Sequence, residues 1–219
     1  MLIAQITDLH LRMPGQKAYR VVATDRHLTP AIAALNALDP RPDVVLITGD
    51  LTDFGRPDEY AALREQLKAL ALPWYVIPGN HDARGALREA FPDHTYLGRT
   101  GFMHYTLEDH PVRLIGLDTL VPGEGRGELC RERLDWLKAR LAEQPERPTL
   151  LFMHHPPFAT GIGHMDAQGL TGARELEALV RDYPNVERII CGHVHRSIFR
   201  RFGGTIASCC PIAGSARAR

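Results

Sequence analysis

Residues 43–50, DVVLITGD, decide how the rest of the chain is read. Val44, Val45, Leu46 and Ile47 are consecutive apolar residues, mostly β-branched, with no helical spacing. A strand buried on both faces, as in a parallel sheet, has this composition. The character then changes within two residues. Gly49 permits a sharp turn, and Asp50 sets a carboxylate at the C-terminal end of the strand.

Working outward, four more apolar runs end in the same way. Leu2–Thr7 leads into Asp8-Leu9-His10, and Trp74–Ile77 leads into Gly79-Asn80-His81-Asp82. Thr149–Met153 leads into His154-His155, and Arg188–Cys191 into Gly192-His193-Val194-His195. Between these runs lie segments of helical period. Thr29–Leu38 puts Ile32, Leu35 and Leu38 on one face with Pro30 in its first turn. Asp58–Leu70 carries Leu63, Leu67 and Leu70, and Arg131–Ala142 carries Leu134, Leu137 and Leu141. Arg84–Phe91 and Arg174–Arg181 are shorter helices. Tyr105–Leu107 with Val112–Leu117, and Ser197–Phe202 with Thr205–Ser208 around Gly203-Gly204, read as hairpins. The expectation is one α/β domain over residues 1–208, two sheets covered by helices, with 209–219 as a short disordered tail.

Composition narrows the function classes. The 219 residues are 44% hydrophobic and 24% charged, with a formal net charge of zero and no long run of one sign. A stable nucleic-acid complex, which needs a basic face, is not expected. The N-terminus lacks a basic region and a cleavage site, and no apolar stretch reaches membrane-span length, so no membrane partner is expected. Cys130, Cys191, Cys209 and Cys210 form no CxxC pair and read as free thiols of a cytoplasmic protein.

Chemistry concentrates where the strands end, the edge at which open α/β sheets bind ligands. Six of the eleven histidines sit there, together with Asp8, Asp50 and Asn80. Carboxylate, amide oxygen and imidazole without thiolate suit Mn, Fe, Co or Zn. Asp8 and His10, and likewise His193 and His195, are two apart and would point the same way on an extended segment.

In this order, D-x-H, GD, GNHD, HH and GHxH resemble the calcineurin-like metallophosphoesterases. GDLTDFG, IPGNHD, FMHHPPF and CGHVH resemble the bacterial class III group, which includes cyclic-nucleotide and glycerophosphodiester phosphodiesterases. The resemblance spans Met1 to about Ser208. It implies a four-layer α/β/β/α sandwich with two central mixed sheets. It also implies two divalent or mixed-valence transition-metal ions, the first on Asp8, His10 and His195, the second on Asn80, His154 and His193, with Asp50 bridging. His81 would face the substrate phosphate and His155 would orient a neighbour. The implied reaction is attack on phosphorus by a hydroxide held between the ions, with His81 and Asp50 as catalytic residues and a small phosphodiester as substrate.

Protein phosphatases of this superfamily carry GD-x-x-DRG and GNHE; here Phe54 replaces the arginine that would grip a phosphomonoester dianion. That favours diesters over the alternatives of a broad phosphomonoesterase or a phosphonate ester hydrolase on the same site. A scaffold without catalysis would be expected to lack ligands, and none is missing. Members of the closer group continue past the last hairpin with residues that complete a sheet and often form a homo-oligomer contact, where this sequence has ASCCPIAGSARAR. Asp53 and Asp82 are expected to bond loop backbone, Arg56 to be solvated, and His164 to lie on a loop that could form a lip of the site.

Overall fold

A computed structural model describes residues 1–18 and 22–212. Strands β1 (Ile3–Ile6), β2 (Val44–Thr48) and β3 (Trp74–Ile77) form a parallel sheet in that order. The crossovers are helices α1 (Asp25–Asn36) and α2 (Pro57–Leu67), and α3 (Arg84–Ala90) follows β3. β2 is the central strand and is fully buried, as its unbroken apolar run requires.

The second sheet is mixed. It contains β4 (Tyr105–Leu107), β5 (Arg113–Leu117), β7 (Thr149–Met153), β9 (Val186–Cys191), β10 (Ile198–Phe202) and β11 (Thr205–Cys209), ordered β10-β11-β9-β7-β5-β4. The four inner strands are parallel, and antiparallel β4 and β10 form the edges. A small ribbon pairs β6 (Gly127–Glu128) with β8 (Leu170–Thr171), which no periodicity had marked. Helices α4 (Arg131–Glu143) and α6 (Ala173–Arg181) flank the second sheet, and the single turn α5 (Gly163–Asp166) lies in the loop after β7.

Side-chain alternation explains the layers. Leu114, Leu150, Phe152 and Ile190 pack inward with the first sheet, α1 and α2. Their neighbours Ile115, Leu117, Leu151, Met153 and Ile189 pack outward against Leu137, Leu141, Leu176 and Val180 of α4 and α6. The result is the expected α/β/β/α sandwich, with mixed pairing confined to the second sheet among the described residues. Polar links cross between the sheets: Tyr105 Oη donates to the Val76 carbonyl at 2.6 Å, and Gln5 Nε2 donates to the Cys191 carbonyl at 2.9 Å.

Three local expectations change. α1 begins at Asp25, so Pro30 lies inside it and Leu38 is outside it and exposed. Thr24, the residue before its start, donates from Oγ1 to the His10 carbonyl at 2.8 Å and ties this end of the helix to the first strand's loop. β11 continues to Cys209, and the Cys210 N–H donates to the Cys191 carbonyl, so these residues belong to the sheet and not to a tail. Residues 213–219 of the expected tail lie outside the described residues. No helix among the described residues is long and apolar enough to cross a membrane.

Candidate active site

The five strand ends meet at one edge of the sandwich. Among the described residues, the non-glycine residues with positive φ are Asp8 (54°), His10 (40°), Asp50 (48°), His193 (71°) and His195 (53°). Left-handed backbone costs an L-residue roughly 1–2 kcal/mol, and such conformations cluster where geometry serves function. The D-x-H and H-x-H pairs are therefore aimed by tight turns and not by the alternation of an extended strand. The turn even separates His193 from His195: the first lies with His154 and His155, the second with Asp8 and His10. Two glycines are required by close approach. A Cβ on Gly79 would lie 2.2 Å from Asp50 Oδ1, and one on Gly192 would lie 2.1 Å from Thr7 Oγ1.

Asp50 joins the two groups of donors. Its Oδ2 lies 3.6 Å from His10 Nε2 and 3.3 Å from His154 Nε2, while Oδ1 accepts the His81 backbone N–H at 2.9 Å. On one side, His10 Nε2 and His195 Nε2 are 3.2 Å apart, and Asp8 Oδ1 is 3.3 Å from His195 Nε2. Asp8 is held by the His193 N–H, at 3.1 and 3.0 Å from its two oxygens. On the other side, His154 Nδ1 donates to the Thr48 carbonyl at 2.8 Å, which leaves a lone pair on Nε2 when the ring is neutral. That Nε2 faces Asn80 Oδ1 at 3.1 Å and Asp50 Oδ2.

Three acceptors facing one another need a positive centre, either a proton or a metal ion. Burial opposes charge on His154, but Asp50 overrides it and raises the imidazole to about 9. Burial likewise pushes the Asp50 carboxyl up, yet His154, His10 and His81 hold it well below the usual carboxylate range. His193 is pushed down to about 4 by burial and by His154, and its buried Nε2 has no hydrogen-bond partner. An orphaned imidazole nitrogen grouped with His154, whose Nε2 meets the Asn80 and Asp50 oxygens, makes a donor set that fits transition-metal ions.

The surrounding side chains divide into braces and walls. Asp82 accepts from the N–H groups of Leu51, Thr52 and Gly79 and from Tyr60 Oη, tying the loops after β2 and β3 together as expected. His155 is a brace as well. Its Nε2 donates to the Gly125 carbonyl at 3.1 Å, and its Nδ1 accepts from Thr119 Oγ1 at 2.8 Å, so both nitrogens have protein partners although the ring lies beside His154 and His193. Burial, with His154 and His193 nearby, holds it well below the usual histidine range, which keeps it neutral.

Asp53 departs from expectation. Its carboxylate does not bond loop backbone but faces His10 Nδ1 at 3.6 Å, His81 Nδ1 at 3.8 Å and Arg12 Nη1 at 3.4 Å. The backbone carbonyl of Asp53 accepts from His81 Nδ1 at 2.8 Å. Arg56 packs its guanidinium over the Phe54 ring at 5.1 Å. Arg12, not foreseen from sequence, does the same at 4.4 Å. The DLTD spacing after Gly49 was the available signal for Asp53; nothing comparable marked Arg12.

Two cavities open onto these residues. One, of about 870 Å³, is lined by Arg12, Lys17, Phe54, His81, Gly125 and Gln168 among others. The other, of about 460 Å³, has Asp50, Asn80, His81, His193 and His195 on one wall and Ile162, His164 and Met165 on the other. The loop after HHPPF thus forms a lip, as His164 suggested.

A four-layer sandwich with mixed oxygen and imidazole donors gathered at its strand ends is the architecture of metal-dependent phosphoesterases. The sequence matches the calcineurin-like phosphoesterase family over residues 1–197, and the chain belongs to that family. It is 42% identical over 197 residues to a probable glycerophosphodiester phosphodiesterase GpdQ of Arcobacter nitrofigilis, covering 90% of this chain and 72% of that protein. It is 31% identical over 196 residues to the 3′,5′-cyclic adenosine monophosphate phosphodiesterase CpdA of Escherichia coli K12, covering 90% of this chain and 70% of that one. In fold it is similar to a dimetal phosphatase from Danio rerio, with a TM-score of 0.76 at 17% identity, over 98% of this chain and 88% of that structure.

Proposed function

We propose that this protein is a dinuclear-metal phosphodiesterase that hydrolyses small phosphodiesters, cyclic nucleotides or glycerophosphodiesters. The observation that carries the reading is the complete donor set: two groups of converging side chains with Asp50 between them. Asp8, His10 and His195 would hold one ion, Asn80, His154 and His193 the other, and Asp50 both. Mn, Fe, Co and Zn, divalent or as a mixed-valence pair, all suit these donors. Two such ions, when bound, supply Lewis acidity and neutralise phosphate charge.

The chain's own groups do the rest. His81 donates through Nδ1 to the Asp53 carbonyl, and the residue lines the cavity beside the donor groups. There the imidazole would hydrogen-bond a phosphate oxygen or pass a proton to the departing alkoxide. The Asp50–His81 N–H bond fixes the imidazole's backbone to the same carboxylate that joins the donor groups. Phe54 itself carries no positive charge for a phosphomonoester dianion, but Arg12 and Lys17 line the same cavity, so the diester reading is supported by the relatives named as phosphodiesterases. The free cysteines among the described residues support a reducing, cytoplasmic setting.

Metal analysis combined with turnover of bis(p-nitrophenyl) phosphate and p-nitrophenyl phosphate tests the proposal. The expected result is two bound ions per chain and higher kcat/KM on the diester. A preference for the monoester would favour a phosphomonoesterase, and metal binding without turnover of either ester would favour a scaffold.

A further inference from the structure

Several large apolar side chains are exposed among the described residues: Met1, Leu2, Leu38, Phe54, Phe199 and Ile206. Of these, only Phe54 lines a cavity at the donor groups, and it is 58% exposed. Its position is fixed from every side. The Phe54 N–H donates to Glu59 Oε2 at 3.0 Å, the preceding carbonyl receives His81 Nδ1, and Gly55, with φ +64°, donates to Thr52 Oγ1 at 3.1 Å. A side chain on Gly55 would press within 2.9 Å of the Ala83 nitrogen, so the loop packs closely on the start of the segment after β3.

The ring itself is gripped by cations. Arg12 packs on it, and Arg12 is held in turn by Asp53, Glu59 and Gln16. Arg56 packs on it as well. Elsewhere the cavity wall is Gly123, Glu124 and Gly125, where two of the three residues lack side chains, with the Gln168 amide nearby. A rigid, exposed aromatic ring shares a roomy cavity with the imidazole that faces phosphate.

We propose that Phe54 is a stacking platform, and that the preferred substrates are phosphodiesters carrying a planar aromatic ring, a nucleobase above all. This rests on the phosphodiesterase reading and narrows it. Base–aromatic stacking is worth about 5- to 150-fold in binding on removal of the aromatic residue. Wild type, Phe54→Ala, Phe54→Leu and Phe54→Trp would be compared on a 3′,5′-cyclic purine nucleotide and on glycerophosphoethanolamine, after circular dichroism confirms folding. The expected result is a loss of kcat/KM for the cyclic nucleotide of about 10-fold or more in Phe54→Ala. It should come mainly through KM, with Phe54→Leu similar, Phe54→Trp near wild type, and changes within about 3-fold on the glycerol ester. Equal losses on both substrates, or none on the nucleotide, overturn the platform while leaving phosphodiester hydrolysis intact. A wild-type protein that hydrolyses neither diester, with or without added metal, overturns both.

Discussion

The two sheets contribute differently to the candidate site. The first supplies every oxygen donor, Asp8, Asp50 and Asn80, together with His10 and His81. The second supplies imidazole alone, His154, His193 and His195. The first side is braced by a carboxylate, Asp82, and the second by an imidazole, His155. The charge pattern follows this division: Asp50 is driven toward ionisation by a histidine of the opposite sheet, and that histidine toward protonation by Asp50. A site made this way exists only when the two sheets are packed face to face, so the hydrophobic interior between them is also what holds the donors in register.

Removing the member that spans the division should have the largest effect. Asp50→Ala is expected to lose metal and activity together, with turnover down on the order of 1,000-fold or more, beyond the 10–100-fold typical of supporting groups. Metal analysis showing two ions, with normal turnover, would overturn the assignment of Asp50. His81→Ala stays within one side and removes no donor. Metal content should be retained and kcat should fall about 100-fold or more; unchanged turnover would count against its role at the phosphate.

The braces should give the smallest effects and should separate by kind. Asp82→Asn faces buried N–H donors with an NH₂ group. It should cost stability, about 1–3 kcal/mol for an unsatisfied buried donor, seen as a lower urea midpoint. His155→Phe keeps the ring but frees the Gly125 carbonyl and Thr119, and is expected to lower kcat/KM about 10-fold. If Asp82→Asn leaves the midpoint unmoved, the first side is not braced as described.

Much of this was legible because one signal repeated. A buried strand that stops at Gly-Asp, at GNHD or at GHVH shows both the sheet and its functional edge, since apolar runs and polar ligands are chemically so unlike. The helices α2 and α4 were legible from leucine spacing alone. What escaped had its cause in tertiary contacts. α1 starts at Asp25, just after Thr24 reaches back to the His10 carbonyl, a contact that no local propensity records. The ribbon β6–β8 is two residues per strand, too short for alternation to register. Asp53 was read as a turn former, but in the fold it faces His10 and Arg12, across a distance that sequence does not measure. Asp8 and His10 share a target through left-handed turns, whereas period-two reasoning assumes extended backbone.

Those left-handed turns set the ease of the backbone against the placement of donor atoms. At Asp8, His10, Asp50, His193 and His195, glycine would adopt the same backbone with less strain. Glycine there would relax the backbone but would leave the His193 and His81 N–H groups without the Asp8 and Asp50 carboxylates, and the donor groups without their imidazoles. Each of the five positions in this sequence carries a carboxylate or an imidazole, so backbone ease yields where a donor atom has to be aimed.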